Sequence, residues 1–161
     1  HATIHTGLGY MRALSVGNMM VRLDWDQIPP DDADRPDEVS RETIRQLEAY
    51  LAGEQMLFDL PLRAEGTSRT GQNWLDTMAL IPYGRTVTYG EFAAMAGKPQ
   101  APRAAGSACA RNPIPIIYPC HRVVRSGGAL GNYGGGSDHH PSSAANLDRK
   151  RYLIELEQRF A

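Results

Sequence analysis

The best candidate for nucleophilic chemistry in this 161-residue chain is a cysteine followed directly by a histidine, Cys120-His121. A thiol is inert when buried and neutral, and reactive when a neighbouring base or positive charge favours the thiolate. His121 is adjacent, and Arg122 and Arg125 raise the local positive potential. Pro113, Pro115 and Pro119 flank the apolar run Ile116-Ile117-Tyr118, so a stiffened, buried backbone delivers the cysteine. The expectation is a sulfur held ionised by its imidazole neighbour. That imidazole needs a third group to orient it. Glu157 lies four residues after Leu153 and three after Ile154, on the apolar face that Leu156 and Phe160 continue, so its carboxylate points inward. An inward carboxylate must be paired, and its partner is either His121 or a structural arginine. Arg151, Glu155 and Arg159, four apart, read as a solvated ion ladder on the opposite face.

These groups must be carried by short elements. Residues 1–28 read as two or three strands, and residues 29–38 as an exposed acidic loop. Ile44, Leu47 and Leu51 recur at helical spacing up to Gly53, and Phe58, Leu60 and Leu62 alternate as a strand would. Residues 66–70 are polar and form the expected linker. A helix over about 72–80 presents Trp74, Leu75 and Met78 on one face and ends before Pro82. Thr88-Tyr89-Gly90-Glu91 has the form of a capping box, opening a helix that runs to Gly97. After a short turn, a second helix spans about 101–110, giving a helix-turn-helix at about 88–110. Ala101, Ala104, Ala105, Gly106, Ser107, Ala108 and Ala110 leave it almost without bulk, while Arg103 and Arg111 project. Such a helix suits close approach to another surface, or else its alanines simply pack as good helix formers.

Composition narrows the function class. Hydrophobic residues make up 42% and charged ones 22%, enough for a packed core and against wholesale disorder. No apolar run approaches the roughly 20 residues needed to span a bilayer, and no signal-type segment opens the chain, so membrane and secretory readings are set aside. Residues 1–80 carry 7 Lys+Arg against 13 Asp+Glu, and residues 81–161 carry 10 against 5, so any polyanion meets the second half. Only Lys98 and Lys150 are lysine. The arginine excess suits phosphate and base contacts, or equally reflects a GC-rich genome. Two cysteines are too few for a disulfide framework or, alone, a zinc site, and His139-His140 read as solvated. The expected compartment is a reducing cytoplasm.

Pro119-Cys120-His121-Arg122-Val123-Val124 resembles the alkyl-acceptor signature of the O6-alkylguanine-DNA alkyltransferases. The resemblance extends through Ile81-Pro82-Tyr83-Gly84, Tyr89-Gly90-Glu91, Arg111-Asn112-Pro113-Ile114-Pro115 and Gly131-Asn132-Tyr133-Gly134-Gly135, and closes over residues 147–157. It covers essentially all of residues 70–161. It implies an α+β fold, with a small N-terminal α/β lobe of RNase H-like layout (1–66) followed by a C-terminal winged helix-turn-helix lobe (70–161). It implies single-turnover repair, in which Cys120 irreversibly takes the alkyl group from guanine O6. His121 would act as base through a bound water, and Glu157 would orient His121. Asn112 would bridge the helix-turn-helix to the cysteine segment. Tyr89 would help rotate the 3′ phosphate and protonate the departing guanine at N3, and Arg103 would fill the stack after the damaged nucleotide flips out. The DNA-facing set would be Arg103, Tyr89, Ala101, Ala104, Ser107 and Arg111, entering the minor groove. The pocket would be lined by Tyr133, Gly134, Gly135, Pro115 and Tyr118. The implied partner is double-stranded DNA carrying O6-alkylguanine, bound by a monomer without metal or organic cofactor.

Three features depart from that pattern. About ten extra residues, 137–146, intervene before the last helix, as a lid on the pocket or, the favoured reading, a tolerated surface insertion. Tyr118 replaces a small aliphatic residue, and Cys109 on the second helix reads as a packing residue rather than a second acceptor. Two other functions remain: alkyl transfer among small molecules by the same Cys-His-Glu site, which Arg103 and the basic second half oppose, and a winged-helix lesion sensor, which the thiol of Cys120 opposes.

Overall fold

A computed structural model describes residues 1–25, 33–134 and 139–161. The opening of the expected acidic loop (29–32), the pocket candidate Gly135 and the first two residues of the expected insertion, Ser137 and Asp138, lie outside the described residues. Residues 33–37 lead into the first helix. Three strands, β1 (Ala2–Thr6), β2 (Gly9–Val16) and β3 (Met19–Trp25), form an antiparallel meander in sequence order. Gly17 and Asn18 both take positive φ, the geometry a two-residue hairpin turn needs between β2 and β3. The sheet buries Met11, Ala13, Leu23 and Trp25. Helix α1 (Glu38–Leu51) packs on the sheet, opened by a reciprocal Asp37/Ser40 cap.

No strand forms over residues 58–62. The chain there runs extended beside β3, with Met20 N donating to Pro61 O at 2.8 Å and Arg63 N to Met20 O at 2.8 Å, and Leu62 makes only an isolated bridge. Pro61 has no N–H to continue a ladder, which is why alternation alone over-reads this segment.

The remaining elements are helical, apart from a two-residue parallel ladder between β4 (Val87–Thr88) and β5 (Val123–Val124). Helix α2 (Arg69–Met78) is capped by Ser68 and so takes in the last two residues of the expected linker. It buries Trp74, Leu75 and Met78 as its spacing requires. Helix α3 (Tyr89–Met95) carries the predicted capping box, both halves formed at 3.1 Å. Helix α4 (Pro102–Ala110) starts with proline in its first turn, lacks a side-chain cap, and packs against α3 and α2, burying Ala105. Phe92 meets Trp74 edge-on at 5.2 Å, and burying each such ring contributes about 2–3 kcal/mol.

Helix α5 (Ala144–Phe160) begins at Ala144, capped by Ser143. The last residues assigned to an inserted loop are therefore its first turn. Phe160 is more exposed than its place in the apolar pattern suggests, at 39%, and covers Gly53. Arg151 pairs with Asp148 rather than forming a ladder with Glu155. The class is α+β. Among the described residues no helix is long and apolar enough to cross a membrane.

Candidate active site

Cys120 opens a single turn of 3₁₀ helix, Cys120–Arg122, at the end of the proline-rich segment. Asn112 ties that segment down: its Nδ2 donates to Tyr118 O at 2.8 Å, and its Oδ1 accepts from Ile114 N at 3.0 Å. Strand β3 adds a tether, Leu23 N to Pro113 O at 2.9 Å. Between them Ile116 is buried with φ of +72°, a conformation that costs a β-branched residue about 1–3 kcal/mol and persists only because the surroundings dictate it.

The cysteine lies on the lining of a cavity of about 510 Å³, a volume in the range of small-ligand sites. Tyr89 from α3, Arg103, Ser107 and Cys109 from α4, and Tyr133 and Gly134 complete much of its wall. Tyr133 is held from the N-terminal sheet, where Trp25 Nε1 donates to its hydroxyl at 3.4 Å. Pro141, inside the expected insertion, also lines the cavity. Pro115 and Tyr118 do not. Tyr118 turns toward α2, where its hydroxyl accepts from Gln72 Nε2 at 3.3 Å, and Pro115 is buried in the same proline-rich turn. Ala104 and Arg111 line, with Ser107, a neighbouring cavity between α2 and α4, and Ala101 is the half-buried start of α4. Arg103 is exposed at the cavity wall.

Behind the cysteine, the two partners weighed for Glu157 are both present. His121 Nε2 lies 2.7 Å from Glu157 Oε2, while Arg122 donates Nε to Oε1 at 2.7 Å and Nη2 to Oε2 at 2.9 Å. The Tyr50 hydroxyl donates to Oε2 at 2.6 Å, and Gly84 N to Oε1 at 3.4 Å. Burial alone would raise this carboxyl, but the hydrogen bonds and charges of His121 and Arg122 overcome it, so Glu157 stays ionised well below the usual range. An ionised carboxylate accepts only, so His121 carries its proton on Nε2. Its Nδ1 is buried with no hydrogen-bond partner in the protein and is the ring's free basic lone pair.

The imidazole makes no hydrogen bond to the sulfur: Nε2 is engaged by Glu157 and Nδ1 has no protein partner. Burial pushes His121 down, against Glu157, and the cations Arg122 and Lys150 push it further. Burial pushes the Cys120 thiol up, while the Asn112 amide and the Lys150 ammonium pull it back. Tyr89 is raised to about 12, first by burial and then by the nearby thiols. Burial thus outweighs the groups that would ionise the sulfur at rest, and the free Nδ1 of His121 is the base placed to take a proton.

Tyr50, Trp25 and Lys150 are the site groups the residue patterns do not single out. Tyr50 and Trp25 act across more than 100 residues, where no local spacing reports contact. Lys150 does have a signal: it precedes Leu153 by three positions and Glu157 by seven, on the same helical face. Cys109 is half-buried and its thiol is pushed up by burial, the character of a wall residue. Among the described residues, no cluster of three His, Cys, Asp or Glu could hold a metal.

Residues 70–159 match the model of the 6-O-methylguanine DNA methyltransferase DNA-binding domain. The chain is 46% identical over 128 residues to a methylated-DNA–protein-cysteine methyltransferase of Methanosarcina acetivorans, covering 80% of this chain and 75% of that protein. It is 48% identical over 118 residues to the one from Methanosarcina barkeri, covering 73% and 68%. A crystal structure of Mycobacterium tuberculosis OGT in complex with DNA superposes with a TM-score of 0.81 at 36% identity, covering 99% of this chain and 92% of that one.

Proposed function

Because the chain belongs to the O6-alkylguanine-DNA alkyltransferase (methylated-DNA–protein-cysteine methyltransferase) family, we propose that Cys120 is the sulfur that receives the alkyl group. The protein is an O6-methylguanine DNA methyltransferase acting in DNA repair, and it binds damaged DNA. The observation that carries the Cys120 assignment is the thiol on the lining of a cavity whose wall includes Tyr89 and Tyr133, with His121 and Glu157 buried behind it.

The step needs no reactant beyond the site, the lesion and solvent. The Cys120 proton passes through a water to His121 Nδ1. The sulfur lone pair attacks the alkyl carbon in line, the carbon–O6 bond breaks, and its electron pair leaves on guanine. The hydroxyl of Tyr89, a residue of the same cavity wall, gives a proton to guanine N3 and recovers one from solvent. The product is a thioether, which no group in the site can cleave, so one molecule repairs one lesion. Glu157 holds the proton of His121 on Nε2, so that Nδ1 is the accepting atom.

The DNA reading is a duplex met through the minor groove by α4, with Arg103 entering the stack and the lesion base rotated into the cavity. The small side chains of α4 and the exposure of Arg103 support it. Residues 1–66 and 70–161 are taken as the two lobes, the first bracing the second through Tyr50 and Trp25. A monomer in a reducing cytoplasm, with both thiols free, fits this chemistry.

Mass spectrometry after incubation with a duplex containing O6-methylguanine tests the assignment. One methyl group should appear on the Cys120 peptide and on no other, and none after Cys120→Ser. Methylation of a different peptide overturns it, and transfer from free bases but not from duplex favours small-molecule chemistry. Arg103→Ala should slow repair of duplex and spare transfer from free O6-benzylguanine, whereas equal loss on both overturns the Arg103 assignment.

A further inference from the structure

One charged group beside the cavity has no part in that reaction. Lys150, on α5, is fully buried, and no carboxylate of the described residues pairs with it. Its Nζ donates to the carbonyl of Asn132 at 3.2 Å and sits 5.8 Å from the centre of the Tyr89 ring. Asn132, Tyr89 and Cys120 all line the cavity, so the ammonium lies against its wall. A buried cation with one neutral acceptor and one ring face is costly, and something in the working state must offset it. Burial lowers Lys150 to about 8, the thiols of Cys120 and Cys109 oppose that, and Arg125 adds to it.

The other cations near the cavity are either committed elsewhere or, like Arg103 on its wall, exposed to water that screens them. Arg122 is held by Glu157 and by the Ile81 carbonyl at 2.6 Å. Arg125 is exposed at the cavity rim, where water screens it. Arg149 stacks on Trp25 at 4.5 Å. Of the remaining titratable groups, Tyr89, Tyr133, Cys109 and His121 are neutral or gain charge only with the sulfur, and the ionised Glu157 behind His121 is offset by Arg122. We propose that the Lys150 ammonium is the positioning residue whose buried charge stabilises the Cys120 thiolate during transfer, while His121 serves to carry the proton away. The proposal rests on Cys120 being the acceptor.

The test is the pH dependence of iodoacetamide labelling at the Cys120 peptide, together with transfer from free O6-benzylguanine, in the wild-type chain and in Lys150→Met, Lys150→Gln and Lys150→Arg. The two uncharged variants should raise the thiolate midpoint by about one pH unit or more and slow transfer at neutral pH about tenfold. The loss should disappear at alkaline pH, above the shifted midpoint, and Lys150→Arg should restore most of it. A folded uncharged variant with an unmoved midpoint overturns the proposal. A second measurement needs no change at Lys150: coupling is reciprocal, so the lysine midpoint followed by NMR should fall in Cys120→Ser relative to wild type, and an unchanged midpoint overturns the proposal as well. If alkyl groups still reach Cys120→Ser protein, it is the acceptor reading that fails, and the two failures are distinct.

Discussion

Glu157 and Cys120 are both buried neighbours of His121, yet their surroundings differ in kind. The carboxylate accepts from His121, Arg122, Tyr50 and Gly84, drawn from three parts of the chain. The thiol has no such set of donors and lies on the lining of a cavity. A group that orients another must be over-determined, because each donor removes a direction in which it could turn. A group that must reach a substrate has to be left under-coordinated, and its charge is stabilised from a distance. Stability and reactivity are therefore separated here between immediate neighbours of one imidazole.

The largest effect that would test this separation is on folding. Glu157→Ala leaves Arg122 and Tyr50 buried without their acceptor, and breaking such a cluster from one side costs about 3–5 kcal/mol. Cys120→Ala removes a small atom from a cavity wall and should cost about 1 kcal/mol or less, while abolishing transfer. Urea denaturation of both variants measures the difference. Equal destabilisation would mean that the carboxylate cluster holds the fold no more firmly than the thiol does.

Acid should sharpen the same contrast. The folded-state pKa of Glu157 is depressed, so its contribution is complete above the unfolded value of 4.5 and is lost as pH falls through the folded value. Wild type and Glu157→Gln should then differ most at neutral pH, and the gap should shrink by more than half about two units below the ordinary carboxylate value. His121 works at higher pH: its folded pKa is lowered, so the unfolded chain binds the extra proton and stability declines as pH drops below 6.5. A gap independent of pH would show that the Glu157→Gln penalty comes from packing rather than charge.

Much of this is legible in the residues. The Thr88/Glu91 box, the α2 face and the inward carboxylate of Glu157 are local patterns, each set within one or two helical turns, and the structure contains all three. Patterns fail where distant chain decides. Phe58, Leu60 and Leu62 alternate as a strand would, but Pro61 interrupts the ladder and leaves an extended segment with a single bridge to β3. Tyr118 is expected at the cavity, but Ile116 takes a positive φ just before it and the tyrosine hydroxyl meets Gln72 instead. Lys150 escapes a reading by type because lysines are almost never fully buried. Its burial follows from helical spacing, which puts Lys150 on the inner face of α5 with Asn146, Leu153 and Glu157.

Tyr50→Phe is the smallest and most discriminating change. It deletes one donor to Glu157 without altering the ring, so Phe58 and Tyr83, which meet that ring at 5.4 and 6.3 Å, keep their contacts. The carboxylate retains His121, Arg122 and Gly84, and losing one hydrogen bond to a charged group should cost about 1.5–3 kcal/mol. Because His121 still has its orienting oxygen, transfer from O6-benzylguanine should slow by about threefold at most. The Lys150→Met variant should show the reverse: slower transfer, with stability held or raised because a buried charge has gone. Thermal melts and transfer rates on the two proteins place them in opposite corners of one plot. If Tyr50→Phe instead slows transfer more than it destabilises, the N-terminal helix is tuning the base itself, and the boundary between orienting and reacting groups lies closer to the sulfur than Glu157.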